Sequence, residues 1–222
     1  MSENEPRKSG KKFFILGTLI FIGGILFAGA FSVALDFTNT TEFCTSCHTM
    51  ETNLEELKQT GHYKNAYGIT VGCADCHVPH SLGPKLWAKL MAAKDVYHEI
   101  MGTIDTPEKY EARRWHMANL VWDKMKASDS RECRSCHSLE HMNFEKQHRA
   151  GSKQHILQVR KALKDLGLDE ETVEKAIETM DFDALPVSEN KKLEMKEALT
   201  MKTKTCIECH QGVAHTLPKE FF

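Results

Sequence analysis

The sequence predicts a mainly α-helical protein with much irregular structure: one membrane-spanning helix near the N-terminus, then a domain organised around bound groups more than around its own side chains. Three observations carry this reading. An uncharged apolar block of 23 residues precedes a long polar region. That region has few β-branched or aromatic runs and several helical stretches bounded by capping signals. The motif C-x-x-C-H occurs four times and uses all eight cysteines.

The apolar block, residues 13–35, reads FFILGTLIFIGGILFAGAFSVAL. As a helix it is about 34 Å long, enough to cross the hydrocarbon core of a bilayer. A cleaved signal peptide is the alternative, since Ser32-Val33-Ala34 resembles a small-residue cleavage site. A signal's apolar region is typically only about 7 to 15 residues, so a retained anchor is expected. Arg7, Lys8, Lys11 and Lys12 precede the span, whereas Asp36 and Glu42 follow it. The positive-inside rule then puts residues 1–12 in the cytoplasm and 36–222 outside.

The four motifs comprise Cys44, Cys47 and His48; Cys73, Cys76 and His77; Cys133, Cys136 and His137; and Cys206, Cys209 and His210. Thiols at i and i+3 lie on one side of a helical turn, where each can form a thioether to a haem vinyl group. The next histidine presents its imidazole to the iron. A structural zinc or a thiol switch needs neither the histidine nor the use of every cysteine. Chance supplies one such match in roughly one or two of a hundred chains of this composition. Four covalently bound c-type haems are therefore expected, with no thiol left for disulfides. Bacterial c-type haem attachment takes place on the outer side of the inner membrane, in agreement with the charge asymmetry. The fold class is a single N-terminal transmembrane helix plus a multihaem c-type cytochrome domain in the periplasm, with the porphyrins supplying much of its buried apolar surface.

With 29 basic against 31 acidic side chains, the chain offers no electrostatic case for nucleic acid, and haem propionates make it more acidic still. The motif starts follow no fixed period, which excludes a solenoid. Residues 84–101, PKLWAKLMAAKDVYHEIM, start with Pro84 in a first turn and stop before Gly102. This helix suits either a membrane surface or packing on a haem. Residues 156–204 read as a small charged helical insert: Gly167 ends one helix, Asp169 caps a second and Ser188 a third. A solvated face is the first expectation for it and partner docking the second.

Of twelve histidines, four are consumed by the motifs. His62, His80, His98, His116, His141, His148, His155 and His215 remain for at most four distal positions. His80 and His215 lie too close in sequence to a proximal histidine to reach the other face of that same haem, so each is read as serving a neighbour. Met50 stands two residues past His48, where its thioether can replace that imidazole on the first iron.

These features together resemble the NapC/NirT family of membrane-anchored tetrahaem cytochromes. The resemblance is carried by the anchor and by C-x-x-C-H-x-M at the first motif, T-G-H-Y around His62, C-A-D-C-H-V-P at the second motif and D-S-R-E-C-R-S-C-H at the third. S-K-Q-H around His155 and C-I-E-C-H-Q-G-V-A-H at the fourth complete it. It implies that Met50 ligates the first haem, that His62, His155 and His215 are distal ligands, and that His80 serves the remaining site with His116 in reserve. Lys89 and Asp95 match the lysine and aspartate beside the first haem and the quinol pocket. One departure is expected: the family usually joins its third and fourth haem regions by a shorter linker than residues 156–204.

The resemblance implies oxidation of quinol from the membrane quinone pool, with Asp95 as proton acceptor and Lys89 holding the quinol oxygen. The electrons then pass to a periplasmic partner enzyme, such as a nitrate, nitrite or other reductase. The reverse traffic, a quinone reductase fed by a hydroxylamine-oxidising donor, uses the same residues. A terminal multihaem reductase is the least favoured reading, because the open haem is expected near the membrane. The sequence leaves the oligomeric state open.

Overall fold

The computed structural model describes residues 8–139, 142–201 and 204–221, and the described part is helical with no strand. Residues 1–7 of the expected cytoplasmic segment and His141 lie outside the described residues. The apolar block forms α1, Lys8–Phe37, longer at both ends than 13–35. Its apolar portion, Gly10–Phe37, has a mean hydropathy of 2.3, and no residue of its most apolar stretch is buried against protein. A helix of that composition and exposure is satisfied by lipid, not by a protein core.

Four short helices carry the motifs: α2 (Thr41–Cys44), α4 (Cys73–His77), α7 (Arg131–Arg134) and α11 (Cys206–Cys209). In α4 and α11 both cysteines share one helical turn. A carboxylate at the third position reaches back to the chain entering each: Asp75 accepts from the Gly72 amide at 2.7 Å, and Glu208 from the Thr205 amide at 2.7 Å. In the first and third motifs the helix stops between the cysteines. The residues there bear hydroxyls that take helix carbonyls: Thr45 donates to Thr41 O at 2.9 Å, Ser46 to Phe43 O at 2.8 Å and Ser135 to Glu132 O at 2.6 Å. Such side chains compete with the helix ladder, and the Ala-Asp and Ile-Glu spacers of the other motifs bring no hydroxyl to do so.

Between the first and second motifs runs α3 (Glu51–Lys58), and after the second come α5 (Leu82–Ile100) and α6 (Pro107–Ala127). Helix α5 starts two residues earlier than Pro84. Ser81 precedes it and Pro84 falls at its third position, where the missing amide is one of the unpaired four. Helix α6 begins at Pro107 behind Thr106, whose hydroxyl accepts from the Lys109 amide at 3.3 Å. It is the spine of the haem-binding part, burying Tyr110, Arg114 and Trp122. Trp122 packs edge-on against Trp115 and against Phe221 near the C-terminus, at 5.9 and 5.8 Å between centroids.

The segment between the third and fourth motifs folds as α8 (Arg149–Lys164), α9 (Glu170–Thr179) and α10 (Glu189–Met201). Asp169 accepts from the Thr172 amide at 2.9 Å and Ser188 from the Lys191 amide at 3.3 Å. Gly167, at φ 74°, makes the left-handed turn that ends the first helix. Helix α8 starts well before residue 156, because its first turns are polar and its apolar periodicity only begins at Ile156. The segment is more than a charged face: Phe144, Val159, Leu163, Val173, Phe182 and Met195 form the centre of the one apolar cluster of the described chain. Outside it, the fully described part buries only Leu57, Tyr110, Trp122 and Ile207 among its apolar side chains. The polypeptide thus has its own side-chain core only where no motif lies, as expected if porphyrins are the core elsewhere.

The third and fourth motifs are fastened by a strained pair. Asp129 and Ser130 are left-handed, at φ 52° and 48°. The fully buried Ser130 hydroxyl accepts from the Ile207 amide at 3.1 Å. Arg134 holds the same turn through Asp129 O at 3.0 Å and the Asp129 carboxylate at 2.9 Å.

Two stability predictions follow from this packing, both read by thermal unfolding of the purified holoprotein. Leu163→Ala opens a cavity in the α8–α10 core and costs about 2–5 kcal/mol. Ser130→Ala leaves a buried amide unpaired and costs about 1–3 kcal/mol. Wild-type melting of either variant contradicts the corresponding contact.

Candidate haem-ligand array

The four motifs stand in spatial succession. The first follows directly on α1, and helices α2 and α4 pack together, joining the first motif to the second. Helices α4 and α7 pack together, joining the second motif to the third. The Ser130–Ile207 bond joins the third to the fourth.

Three histidines named from the sequence are brought close to motif histidines. His215 stands opposite His77, His62 opposite His137, and His155 opposite His210, with ring centroids 6.3, 6.2 and 6.0 Å apart. Two imidazoles bound through one nitrogen each at about 2 Å, on opposite sides of one first-row metal ion, hold their centroids about 6 Å apart. The donor set therefore fits six-coordinate iron at the second, third and fourth motifs. Among the described residues, no three His, Cys, Asp or Glu side chains converge as a zinc site requires.

Two of the three pairs cross the chain order, and this pairing was not legible in the sequence. His62 precedes the second motif yet faces the third, and His215 follows the fourth yet faces the second. The neighbours that orient these rings were missed as well. Gln147 Oε1 lies 2.6 Å from Nδ1 of His155, leaving Nε2 for His210's side. Glu56 Oε2 lies 3.7 Å from Nδ1 of His215. Burial lowers the pKa of both His155 and His215, which favours the neutral, metal-binding imidazole.

The first motif differs. Nε2 of His48 meets the Asp105 carbonyl at 3.1 Å, and Nδ1 meets Glu99 Oε1 at 3.5 Å. Both nitrogens of this exposed ring thus face protein oxygen. Met50 is half-buried on the turn leading into α3, and its sulfur accepts from Asn53 Nδ2 at 3.8 Å. Asn53 in turn accepts from the buried Tyr110 hydroxyl at 2.7 Å. His80 and His116 are exposed, and neither makes a ring contact with a motif histidine in the described structure.

On α5, Lys89 donates to the Thr38 carbonyl at 2.6 Å and hydroxyl at 3.0 Å, tying the helix to the end of the anchor. Partial burial lowers its pKa, opposed by the Cys44 sulfur. Asp95 is exposed and six positions further on, about 120° around the helix, so the two side chains do not share a face. Asp95 is instead one turn from Glu99, which accepts from the Thr49 hydroxyl at 2.6 Å inside the first motif. The i, i+4 spacing of these carboxylates was the signal that could have found Glu99. No apolar side chain of α5 is buried: Leu82, Trp87, Leu90 and Ile100 are each at least 60% exposed.

The profile of the NapC/NirT cytochrome c family, N-terminal region, matches residues 7–165 and 171–220. Residues 166–170, within the segment between the third and fourth motifs, lie outside that match. A tetraheme cytochrome-c type protein of Allochromatium vinosum is 48% identical over 96% of this chain and 94% of its own. The cytochrome c-type protein NapC of Escherichia coli K12 is 38% identical over 91% of this chain and 83% of its own. The denitrification system component NirT of Stutzerimonas stutzeri is 38% identical over 96% and 87%. No solved structure matches the chain. On a family match that covers nearly its whole length, this chain belongs to the NapC/NirT cytochrome c family.

Proposed function

We propose that this membrane-anchored multihaem cytochrome oxidises quinol at the membrane surface and delivers the electrons to a periplasmic oxidoreductase. The observation that carries the reading is the succession of motifs from the one beside the anchor to the one against α8–α10, with facing histidine pairs at all but the first. When bound, the haem irons supply one-electron acceptors whose potentials follow their axial ligands. His77 and His215 hold the second, His137 and His62 the third, and His210 and His155 the fourth. At the first, Met50 is the preferred ligand, because both nitrogens of His48 are met by protein oxygens; His80 and His116 stay in reserve.

The exposed apolar residues of α5 lie in the lipid interface and admit the quinol, next to the anchor end that Lys89 grips. An ammonium has three donors, so Lys89 keeps capacity for a quinol oxygen while holding Thr38. Asp95 takes the proton, and Glu99 one turn away faces the first motif. The N-terminus is cytoplasmic and the haem domain periplasmic. A relative named as a denitrification system component favours a reductase of a nitrogen oxide as the partner.

In proteoliposomes loaded with quinol, Asp95→Asn lowers the rate of haem reduction by about 100-fold, the usual scale of general base catalysis, with haem content unchanged. Lys89→Gln acts in the same direction. Wild-type rates in both fully loaded variants remove these residues from the site. Separately, His62→Ala and His155→Ala each turn one low-spin haem high-spin while all four stay attached, counted by electron paramagnetic resonance. An unchanged low-spin count rejects that ligand.

A further inference from the structure

A buried clamp stands behind the second haem pair. Arg114 of α6 has a side chain only 9% exposed, and its Nη2 donates to both oxygens of Glu56 on α3, at 2.5 and 2.7 Å. The same nitrogen donates to the Thr216 carbonyl at 2.7 Å, and the Thr216 amide donates to Glu56 Oε2 at 3.1 Å. Glu111 takes the other terminal nitrogen of Arg114 at 2.9 Å. The carboxylate is therefore fixed on three sides, and its Oε2 points at the residue next to Thr216.

That residue is His215, whose Nδ1 is buried, has no hydrogen-bond partner and lies 3.7 Å from Glu56 Oε2. A buried imidazole nitrogen without a partner is costly, and a carboxylate this close needs only to approach by less than an ångström to accept its proton. The Asn53 backbone is a second acceptor within reach of the ring, in competition with Glu56, and the Arg114 guanidinium lies nearby. When Nε2 of His215 turns to His77's side, the proton resides on Nδ1, facing Glu56. A carboxylate behind a metal-bound histidine fixes the ring's tautomer and orientation and makes the ligand a better donor.

We propose that Glu56 is the positioning residue of His215, accepting its Nδ1–H and thereby stabilising the oxidised state of the second haem, with Arg114 limiting how much negative charge the ring feels. The inference rests on the assignment of His215 and His77 to that haem. A better donor favours ferric iron, so loss of the carboxylate moves the potential upward.

The test uses full-length holoprotein purified in detergent. Glu56→Gln keeps the shape and an acceptor oxygen but removes the charge. It is expected to retain four haems, shift one of the four reduction waves to more positive potential, and change the g-value spread of one low-spin ferric signal. The last readout reports the ligand field, which a merely structural contact does not move. Four unchanged waves and unchanged signals in fully loaded Glu56→Gln overturn the proposal. Should that variant fail to accumulate, Arg114→Lys breaks the fork while leaving the carboxylate and shifts the same wave negative; an unmoved wave again overturns it. His215→Ala separates the two levels. If all four haems remain low-spin in it, the ligand assignment fails; if one turns high-spin while Glu56→Gln moves nothing, only the role of Glu56 fails.

Discussion

A histidine that follows its attachment cysteines can approach an iron from one face only. A second imidazole for a haem must therefore come from another part of the chain, and this constraint fits the three histidine pairs found beyond the anchor. In the three facing pairs the second imidazole comes from a loop before another motif, from the first turns of α8, or from the C-terminal segment. Each pair thus ties two distant stretches together, as a disulfide framework does in a small secreted domain whose side-chain core is too small to hold it. The Ser130–Ile207 bond and the Arg114 clamp fasten such distant stretches to one another as well.

The one part that folds in the ordinary way is α8–α10, with an apolar cluster of its own. It nevertheless contributes to the array, because His155 lies on α8 and is oriented by Gln147 just ahead of it. The self-packed segment and the haem-organised segment share a helix. A disturbance of the α8–α10 core is therefore transmitted to the ligand geometry of the fourth motif.

Much of this was legible in the residues. C-x-x-C-H states its chemistry locally, and the apolar block states its length. Asp169 and Ser188 announced caps that act within four residues. What could not be read was whatever depends on separation in sequence. The pairing of His62 with His137 skips the second motif, and that of His215 with His77 skips the third and the fourth. The start of α8 was hidden by polar first turns, and the apolar cluster of α8–α10 by the charged residues covering it. Glu56 gave no sign at all, since a single glutamate on a short helix has no local pattern linking it to a histidine 159 positions later. The resemblance to a known family supplied candidate ligands but not their pairing.

The closing of the second pair by His215 has a bearing on biogenesis. In chain order Cys73, Cys76 and His77 are made well before His215. The segment that meets Glu56 at Thr216 lies 160 positions later in the chain. Until it is delivered, the second site has only its proximal imidazole from this pair. If His215 is the partner of His77, completion of the second site waits on residues that come after both the third and the fourth motif.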